Sequence, residues 1–307
     1  MTLKQIADYL RERDNFLIVM HKNPDGDCVG SATALCLALH ALGKQAYILP
    51  DDDMGTLLTS YTANLLAADN FVPQYTVAVD AADSTRFNAQ APKHFDLAID
   101  HHASHKPFAT HTYVDGALAA CGEIVYQLII GFGVEITQRI AESLYVAIAT
   151  DTGCFKFGST TPNTHRIAAA LMETNFDFAS INRKFFEQKS LAQIKLEQAV
   201  YADIETFHNG TVIVLKVTLD MLKGLTSDDT DSLPGLARAI AGCQIGILIR
   251  EQSSGEIRVS VRTVPPHNAS DICAKLGGGG HKSAAGATFK GTLAQAREAI
   301  LAAIEMA

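Results

Sequence analysis

Residues 16–27 read FLIVMHKNPDGD, an apolar run that ends in a histidine and then in a turn with two aspartates. The apolar run is typical of a buried strand, and the proline and glycine after it favour a tight turn. SATALCLALHALG (31–43) follows with helical spacing and a glycine stop. The segment therefore predicts a strand, a turn that carries Asp25 and Asp27, and a helix.

The same strand pattern returns further along the first half of the chain. It recurs in QAYILP (45–50), TVAVD (76–80) and DLAID (96–100), with helical runs between and after these segments. Near-continuous apolar strands that alternate with helices are typical of parallel sheets. We therefore predict an α/β domain over residues 1–188, with a parallel sheet that has helices on both faces.

A smaller domain is expected after a helical connection. Residues 189–204 contain neither proline nor glycine, so we predict a helical linker there. In residues 205–307, Asn209-Gly210 is a strong hairpin signal, and a further strand pair follows in CQIGILIRE and EIRVSVRT. The second domain is therefore predicted to be α+β with a mixed sheet.

Composition restricts the partners and the location. The 307 residues include 33 acidic and 25 basic ones, a formal charge of −8. Because long nucleic acid is bound by clustered lysine and arginine, we expect no binding of long double-stranded nucleic acid, and an anionic substrate has to be small. Six scattered cysteines indicate reduced thiols, and no run approaches the ~18 apolar residues of a membrane span. We expect a cytoplasmic protein without a membrane partner.

Acidic residues and histidines stand where the predicted strands end. His21 follows the first strand, Asp80 ends a later one, and Asp100 and His101 end the next. The carboxyl ends of strands in an open parallel sheet share one edge, so these residues are expected to converge. Asp151 follows a helical run, and we expect it to reach the same edge.

A cluster of carboxylates and imidazoles at one edge predicts a metal centre. Divalent cations are the simplest partners that neutralise such a cluster. Carboxylate and imidazole ligands without thiolate favour Mn²⁺, with Mg²⁺ or Co²⁺ as alternatives. The number of ligands suits two ions, and a pair about 3.5–4 Å apart activates water and clamps phosphoryl oxygens. The pattern predicts a metal-dependent hydrolase of a small phosphate ester.

Five ordered motifs carry a family resemblance. They are HKNPDGD (21–27), AVDAADSTRF (78–87), IDHHASH (99–105), ATDTGCF (149–155) and GGGGHKSAAG (277–286). Together they resemble the DHH phosphoesterase superfamily with its DHH-associated C-terminal domain, over residues 16–290. Among its branches they resemble the NrnA type, bacterial enzymes that degrade very short RNA and dephosphorylate 3′-phosphoadenosine-5′-phosphate. The resemblance implies a nanoRNase, an exonuclease acting on oligoribonucleotides, and a pAp phosphatase that releases nucleoside monophosphates.

The resemblance also implies roles for individual residues. Two metal ions would be held by six side chains, with Asp80 between the ions: His21, Asp25, Asp27, Asp80, His101 and Asp151. His102 would contact the scissile phosphate and protonate the leaving oxygen, and Asp100 would orient the ligands. Substrate would be bound in the second domain by Arg262, Gly278, Gly279, Gly280 and His281.

Other interpretations stay open at this stage. Related motifs also support an inorganic pyrophosphatase or exopolyphosphatase, although the glycine-rich motif resembles the nucleotide-handling branch. A catalytically silent nucleotide-binding module is the alternative from another class. The segment AACGE (119–123) lacks a threonine expected before the glutamate, which puts a hydroxyl contact there in doubt.

Some residues are expected to have no part in the chemistry. Four histidines are predicted to be solvated or capping: His40, His94, His105 and His111. Asp51–Asp53 is predicted to be a solvated loop, and Cys28 and Cys154 to be packing residues. The apolar helices of residues 121–148 are expected to pack against a second copy in a homodimer.

Overall fold

In the computed structural model the described residues are 1–51, 54–230 and 232–306. Two aspartates of the loop predicted at 51–53, Asp52 and Asp53, lie outside the described residues. The chain divides into two compact units, Met1–Gln188 and Lys189–Ala307. Each unit is described by itself below.

The first unit contains a five-stranded parallel sheet with the strand order β2-β1-β3-β4-β5. Its strands are β1 (Phe16–Val19), β2 (Ala46–Ile48), β3 (Tyr75–Val79), β4 (Phe95–Asp100) and β5 (Ala109–Val114). The first four strands coincide with the apolar runs of the sequence. The edge strand β5 has no apolar run and was not predicted.

The helices of this unit follow one another in the order that the sequence indicates. They are α1 (Leu3–Glu12), α2 (Gly26–Ala41), α3 (Thr56–Thr59), α4 (Cys121–Phe132), α5 (Gln138–Asp151), α6 (Pro162–Met172) and α7 (Phe178–Asn182). A π-helical turn, Arg183–Glu187, ends the unit. Asp25 caps α2, because its side chain accepts a hydrogen bond from the backbone N–H of Cys28.

The two faces of the parallel sheet are covered differently. Apolar side chains of α1, α2, α4 and α5 form the main core with Phe16, Ile18 and Val77. On the other face, Leu17 and Phe95 pack against side chains from loop segments. The main core therefore fixes α2 and α5 against each other and against the strands.

Close helix packing needs glycine at two positions of α2. A Cβ on Gly26 would lie 2.4 Å from Thr150 Oγ1, and one on Gly30 would lie 2.3 Å from the carbonyl oxygen of Ser143. Larger residues at these positions would push α2 away from α5. Because α2 begins at the aspartate turn and α5 ends at Asp151, this packing brings those carboxylates together.

The second unit begins with a helix and contains a mixed sheet of six strands. Its helices are α8 (Leu191–Ala202), α9 (Ser227–Thr230), α10 (Ala269–Ala274) and α11 (Leu293–Glu305). Its strands are β6 (Glu205–Phe207), β7 (Val212–Val217), β8 (Ile245–Glu251), β9 (Ile257–Thr263), β10 (Gly279–Gly280) and β11 (Ala284–Phe289).

The strand order of this sheet is β10-β11-β9-β8-β7-β6. The pair β7 and β8 is parallel, and the other neighbours are antiparallel. Both predicted strand pairs are present, one joined by a 3-10 turn at His208–Gly210. The mixed sheet and the parallel sheet confirm the predicted fold class.

A membrane-crossing segment is not found among the described helices, because none is both long and apolar enough.

Candidate functional site

The predicted site residues of the first unit lie at the carboxyl edge of the parallel sheet. His21 lies two residues beyond β1, Asp80 directly follows β3, and Asp100 is the last residue of β4. Asp80 has a positive φ of 58°, a conformation that residues other than glycine adopt rarely and mostly at turns or functional sites. The strand ends therefore present these side chains to one region, as the sequence predicts.

Asp27 is fixed in the first turn of α2 by three donors. Its carboxylate accepts hydrogen bonds from the Ser31 hydroxyl at 3.0 Å and from the backbone N–H groups of Cys121 and Gly122 at 2.6 and 2.9 Å. Burial raises the pKa of Asp27 to about 6, although His101 and the backbone N–H groups of Cys121 and Gly122 act against the rise. The start of α4 thus holds one carboxylate of the site in place.

Two histidines direct the same ring nitrogen towards the carboxylates. Nδ1 of His21 lies 3.0 Å from the carbonyl oxygen of Lys22, and Nδ1 of His101 lies 3.3 Å from that of Leu118. A carbonyl can only accept, so we assign the proton to Nδ1 in both rings. Nε2 is then left with its lone pair towards the acidic residues, as a metal ligand requires.

The Nε2 atoms of His21 and His101 lie close to the carboxylates of the other four predicted metal ligands. His101 Nε2 lies 3.6 Å from Asp27 Oδ2, 3.5 Å from Asp80 Oδ1 and 3.4 Å from Asp151 Oδ2. His21 Nε2 lies 3.9 Å from both Asp25 Oδ2 and Asp80 Oδ2. Asp80 is common to both groups, so each of its oxygens faces a different histidine.

The electrostatics of this cluster suit a divalent cation. Asp80 is 2% exposed, and its Oδ1 accepts no hydrogen bond from any described residue. Burial raises its pKa well above the usual range, and the neighbouring carboxylates raise it further. Burial and Asp27 also raise the pKa of Asp151, to about 7. A positive charge among these oxygens would remove both the desolvation cost and the repulsion.

Ligand atoms are close enough to hold ions in more than one combination. Two groups without sulfur combine Asp27 with His101 and Asp151, and Asp80 with His101 and His102, each within 4.8 Å. These oxygen and nitrogen donors are the ligands that Mn²⁺ and Mg²⁺ accept in proteins. The residues present therefore fit divalent cations.

A third group of ligand atoms includes the thiol of Cys28 with His21 and Asp80. The sulfur lies 3.4 Å from the backbone N–H of His21 and 3.4 Å from the carbonyl oxygen of Val79. Burial raises the pKa of Cys28 well above its usual value, so the thiol keeps its proton. These contacts support the interpretation of Cys28 as a packing residue.

Asp100 is fully buried and binds two imidazoles. Its Oδ1 accepts hydrogen bonds from His102 Nδ1 at 2.7 Å and from the backbone N–H of His101 at 2.9 Å, while Oδ2 accepts from His105 Nδ1 at 2.6 Å. Burial raises the pKa of Asp100, but the hydrogen bonds from the histidines outweigh it and hold the pKa below its usual value. The contact with His102 has the form expected for an orienting carboxylate.

The prediction that His105 is solvated or capping is wrong. Its side chain is 4% exposed and makes the hydrogen bond to Asp100. The signal available in the sequence was its position in IDHHASH, three residues after His102, which allows a turn to bring the ring back to the strand end. The backbone N–H of His105 does donate to the carbonyl oxygen of His102, at 3.0 Å.

The glutamate of the segment AACGE accepts a hydrogen bond from a hydroxyl elsewhere in the chain. Glu123 is fully buried, and its Oε1 accepts a hydrogen bond from Thr164 Oγ1 at 2.6 Å. Thr164 belongs to the capping box that opens α6. The hydroxyl that contacts this segment therefore comes from a helix 41 residues away in sequence.

In the second unit a cavity of about 400 Å³ lies over the mixed sheet. Three arginines on β8 and β9 line it together with glycines of β10 and β11: Arg250, Arg258, Arg262, Gly279, Gly280 and Gly286. Arg250 and Arg258 are directly opposite each other in the antiparallel register. We call this cavity the arginine pocket.

The charge of the arginine pocket is not balanced within the described part of the chain. No carboxylate there forms an ion pair with Arg250, Arg258 or Arg262, and like charges placed opposite each other destabilise a sheet. Burial, Arg238 and Arg258 lower the pKa of Arg262. Such a cavity is suited to an anion such as a phosphate.

Two of the predicted substrate residues lie outside the lining of this pocket. A Cβ on Gly278 would lie 2.2 Å from the carbonyl oxygen of Gly286, so this glycine allows two backbone segments to approach closely. The side chain of His281 is exposed, and its backbone N–H donates to Ala284. Arg250 and Arg258 were missed, although the alternation in EIRVSVRT places Arg258 on the same strand face as Arg262.

Comparisons with known proteins agree with this architecture. The DHH family, N-terminal domain, matches residues 15–148, and the DHHA1 domain matches residues 209–307. A relative from Thermus thermophilus, named bifunctional oligoribonuclease and PAP phosphatase NrnA, is 32% identical over 98% of this chain and 93% of its own length.

Solved structures show the same fold. An exopolyphosphatase-related protein from Bacteroides fragilis superposes with a TM-score of 0.88 at 23% identity, over 99% of this chain and 96% of that chain. The exonuclease RecJ, solved bound to manganese, superposes with a TM-score of 0.54 at 14% identity, over 98% of this chain and 93% of that chain. Together with the identity to the Thermus relative, the two domain matches show that this chain belongs to the DHH family, with a DHHA1 domain as its second part.

Proposed function

We propose that the protein is a metal-dependent phosphoesterase that hydrolyses short oligoribonucleotides, 3′-phosphoadenosine-5′-phosphate, or both, to nucleoside monophosphates. The observation that carries this proposal is Asp80, a buried carboxylate whose Oδ1 accepts no hydrogen bond from the described residues and whose two oxygens face two histidines. A buried carboxylate oxygen without a hydrogen bond is costly, and a cation between the oxygens removes that cost.

We infer two divalent ions, with Mn²⁺ preferred over Mg²⁺ or Co²⁺. His21, Asp25 and Asp80 would hold one ion, and the other would be held by Asp27, Asp80, His101 and Asp151. When bound, such ions polarise phosphoryl oxygens and lower the pKa of water. The RecJ structure solved bound to manganese supports the choice of Mn²⁺.

The remaining side chains of the edge act on the phosphate itself. His102 would contact the scissile phosphate and, with protons on both ring nitrogens, give the Nε2 proton to the leaving oxygen. Asp100 would fix the orientation of its ring, because the carboxylate accepts from His102 Nδ1 at 2.7 Å. A leaving ribose oxygen needs such a proton, since an alkoxide is a poor leaving group.

The second unit would bind the nucleotide. Arg262 is expected to pair with a phosphate, and Gly279 and Gly280 line the same arginine pocket, where their backbone N–H groups would bind the phosphate as well. Gly278 and His281 would support the glycine segment. Three arginines in one cavity suit a substrate with more than one phosphate charge, such as 3′-phosphoadenosine-5′-phosphate or a short RNA end.

A homodimer through residues 121–148 stays a prediction, as does the cytoplasmic location. In α4 and α5 most apolar side chains are buried within the first unit, and Ile130 is the large one that stays 54% exposed. Sedimentation velocity at several protein concentrations would measure the oligomeric state directly.

The proposed function is tested by a panel of substrates with added Mn²⁺. The panel contains 3′-phosphoadenosine-5′-phosphate, the dinucleotide pApA, a five-residue RNA, pyrophosphate and polyphosphate. We expect release of nucleoside monophosphates from the nucleotide substrates and loss of this activity with a chelator. Preferential hydrolysis of pyrophosphate or polyphosphate would replace the proposal with one of its alternatives. Manganese-independent binding of nucleotide without turnover would indicate a silent binding module.

A further inference from the structure

His105 supplies the donor on one side of the Asp100 carboxylate. Its Nδ1 lies 2.6 Å from Asp100 Oδ2 and donates a hydrogen bond to that oxygen. The other oxygen is used by His101 and His102. Asp100 therefore lies between two imidazoles, and each imidazole binds a different oxygen.

The position of the His105 ring is set by its surroundings. The backbone N–H of His105 closes a turn on the carbonyl oxygen of His102, and Phe108 packs against the ring with 5.5 Å between the ring centroids. The neighbouring N–H of Lys106 donates to the carbonyl oxygen of Ala82 at 2.8 Å. The turn is thus fixed at both ends, and the ring reaches the carboxylate from the side opposite His102.

The two nitrogens of the His105 ring differ in their contacts. His105 Nε2 is buried and has no hydrogen-bond partner among the described residues, so the ring carries an unpaired polar atom. An apolar side chain would fill the same space without that cost. The hydrogen bond from Nδ1 to Asp100 is therefore the contact that favours a histidine over an apolar residue at this position.

We propose that His105 is a positioning residue of the phosphoesterase: by donating to Asp100 Oδ2, it holds the carboxylate so that Oδ1 keeps the His102 ring in its reactive orientation. This inference rests on the proposed function. Without this donor, Oδ2 loses the hydrogen bond from His105, and among the described residues the carboxylate is held only by the donors of His101 and His102. His102 then loses its fixed tautomer and direction, while the residues of the arginine pocket are unaffected.

Two substitutions of His105 and one control substitution test this proposal. His105→Leu keeps the apolar volume and removes the donor. His105→Asn keeps a donor, because the amide nitrogen is attached to Cγ in the same way as Nδ1, and it removes Nε2. His94→Leu is the matched control: this imidazole is 72% exposed and lies 3.9 Å from Asp96, away from Asp100.

Steady-state kinetics of the full chain with Mn²⁺ and the preferred nucleotide gives the first readout. We expect His105→Leu to lower kcat about 10–100-fold with KM nearly unchanged, as is typical when a partner of an active-site residue is removed. His105→Asn is expected to keep most of the parent kcat, and His94→Leu to keep all of it. An equal loss in the leucine and asparagine variants would show that ring packing matters instead, and would overturn the inference.

A second readout does not depend on turnover. Nitrogen-15 spectra of the imidazoles in the metal-free protein report which ring nitrogen of His102 carries the proton. We expect the Nδ1–H form in the parent and in His105→Asn, and a mixture of tautomers in His105→Leu. An unchanged His102 signal in His105→Leu overturns the inference. If the parent hydrolyses none of the substrates, the proposed function fails and these spectra alone decide the role of His105.

Discussion

At the residue scale, Asp80 combines two features that cost stability. It has a positive φ of 58°, and its carboxylate is 2% exposed with one oxygen that accepts no hydrogen bond from the described residues. Strain of this kind persists where the surrounding structure enforces it, and it is concentrated at functional sites. The backbone N–H of Asp80 donates to the carbonyl oxygen of Ile99 at 2.9 Å, and this contact with β4 holds the backbone in place.

The first prediction concerns Asp80→Asn. Asparagine has the same shape and also adopts positive φ, so we expect the metal-free variant to be no less stable than the parent. At about 100 times its dissociation constant, Mn²⁺ should stabilise the parent by about 2.7 kcal/mol. The variant should show little of this effect, because the carboxylate that faces both histidines is gone. Thermal melting with and without Mn²⁺ measures both quantities.

Asp83→Asn is the control for this experiment. Asp83 lies three residues further on and accepts hydrogen bonds from Thr85, outside the metal centre. It should keep the full response to Mn²⁺. A normal manganese response in Asp80→Asn would contradict the assignment of Asp80 as the shared ligand.

The residues of the site differ in how far the sequence predicted them. Five of the proposed ligands stand at strand ends or at the turn that opens α2, where the geometry of a parallel sheet brings distant positions together, and Asp151 ends the helix α5. His105 was missed because its role depends on a turn that folds the chain back, which the strand pattern does not contain. Arg250 was missed because its position in the arginine pocket depends on the register of β8 and β9.

At the scale of elements, the contact between α2 and α5 determines whether the site can form. The two helices approach so closely that Gly26 and Gly30 have no room for a side chain. Asp27 lies in the first turn of one helix, and Asp151 is the last residue of the other. A small change in this helix packing therefore moves two of the proposed metal ligands relative to each other.

The second prediction tests this packing with Gly30→Ala. A Cβ would lie 2.3 Å from the carbonyl oxygen of Ser143, and overpacking of this kind costs about 1–3 kcal/mol. We expect a lower free energy of unfolding in urea and weaker Mn²⁺ binding. Gly131→Ala in α4 is the matched control, since nothing lies within 4 Å of its Cβ. It should stabilise the protein by up to about 1 kcal/mol.

If Gly30→Ala and Gly131→Ala had equal stabilities, the close approach of α2 and α5 would not constrain the fold.

Elements were predicted well where burial is continuous, as in β1, β3 and β4. The edge strand β5 reads ATHTYV and is partly exposed along its length, so it lacks the apolar run that marks the others. Strands β10 and β11 are rich in glycine and alanine, and they are defined by pairing: β10 pairs with β11, and β11 pairs with β9.

At the scale of the whole molecule, the two units carry different chemistry. The first unit concentrates carboxylates and imidazoles at one sheet edge, and the second concentrates arginines on one sheet face. The net charge of −8 does not show where the charged residues lie, so composition alone indicated only a small anionic substrate. The order of motifs predicted both units, but the extent of the arginine pocket required the structure.

The third prediction follows from this division. Arg258→Ala should raise KM for 3′-phosphoadenosine-5′-phosphate by about 10–100-fold, since a hydrogen bond to a charged group contributes about 1.5–3 kcal/mol. Mn²⁺ binding, measured by calorimetry, should not change. Arg297→Ala is the control, because Arg297 pairs with Glu205 and is not part of the pocket lining. An unchanged KM in Arg258→Ala would remove the arginine pocket from the proposed nucleotide site.

The metal centre itself is tested most directly by anomalous diffraction at the manganese edge, from crystals grown with Mn²⁺. We predict two peaks about 3.5–4 Å apart, the separation typical of two-metal sites. Asp80 should touch both, with His21 and Asp25 at one peak and Asp27, His101 and Asp151 at the other. Peaks bound by other residues, or no peak at the carboxyl edge of the parallel sheet, would contradict the proposed metal centre.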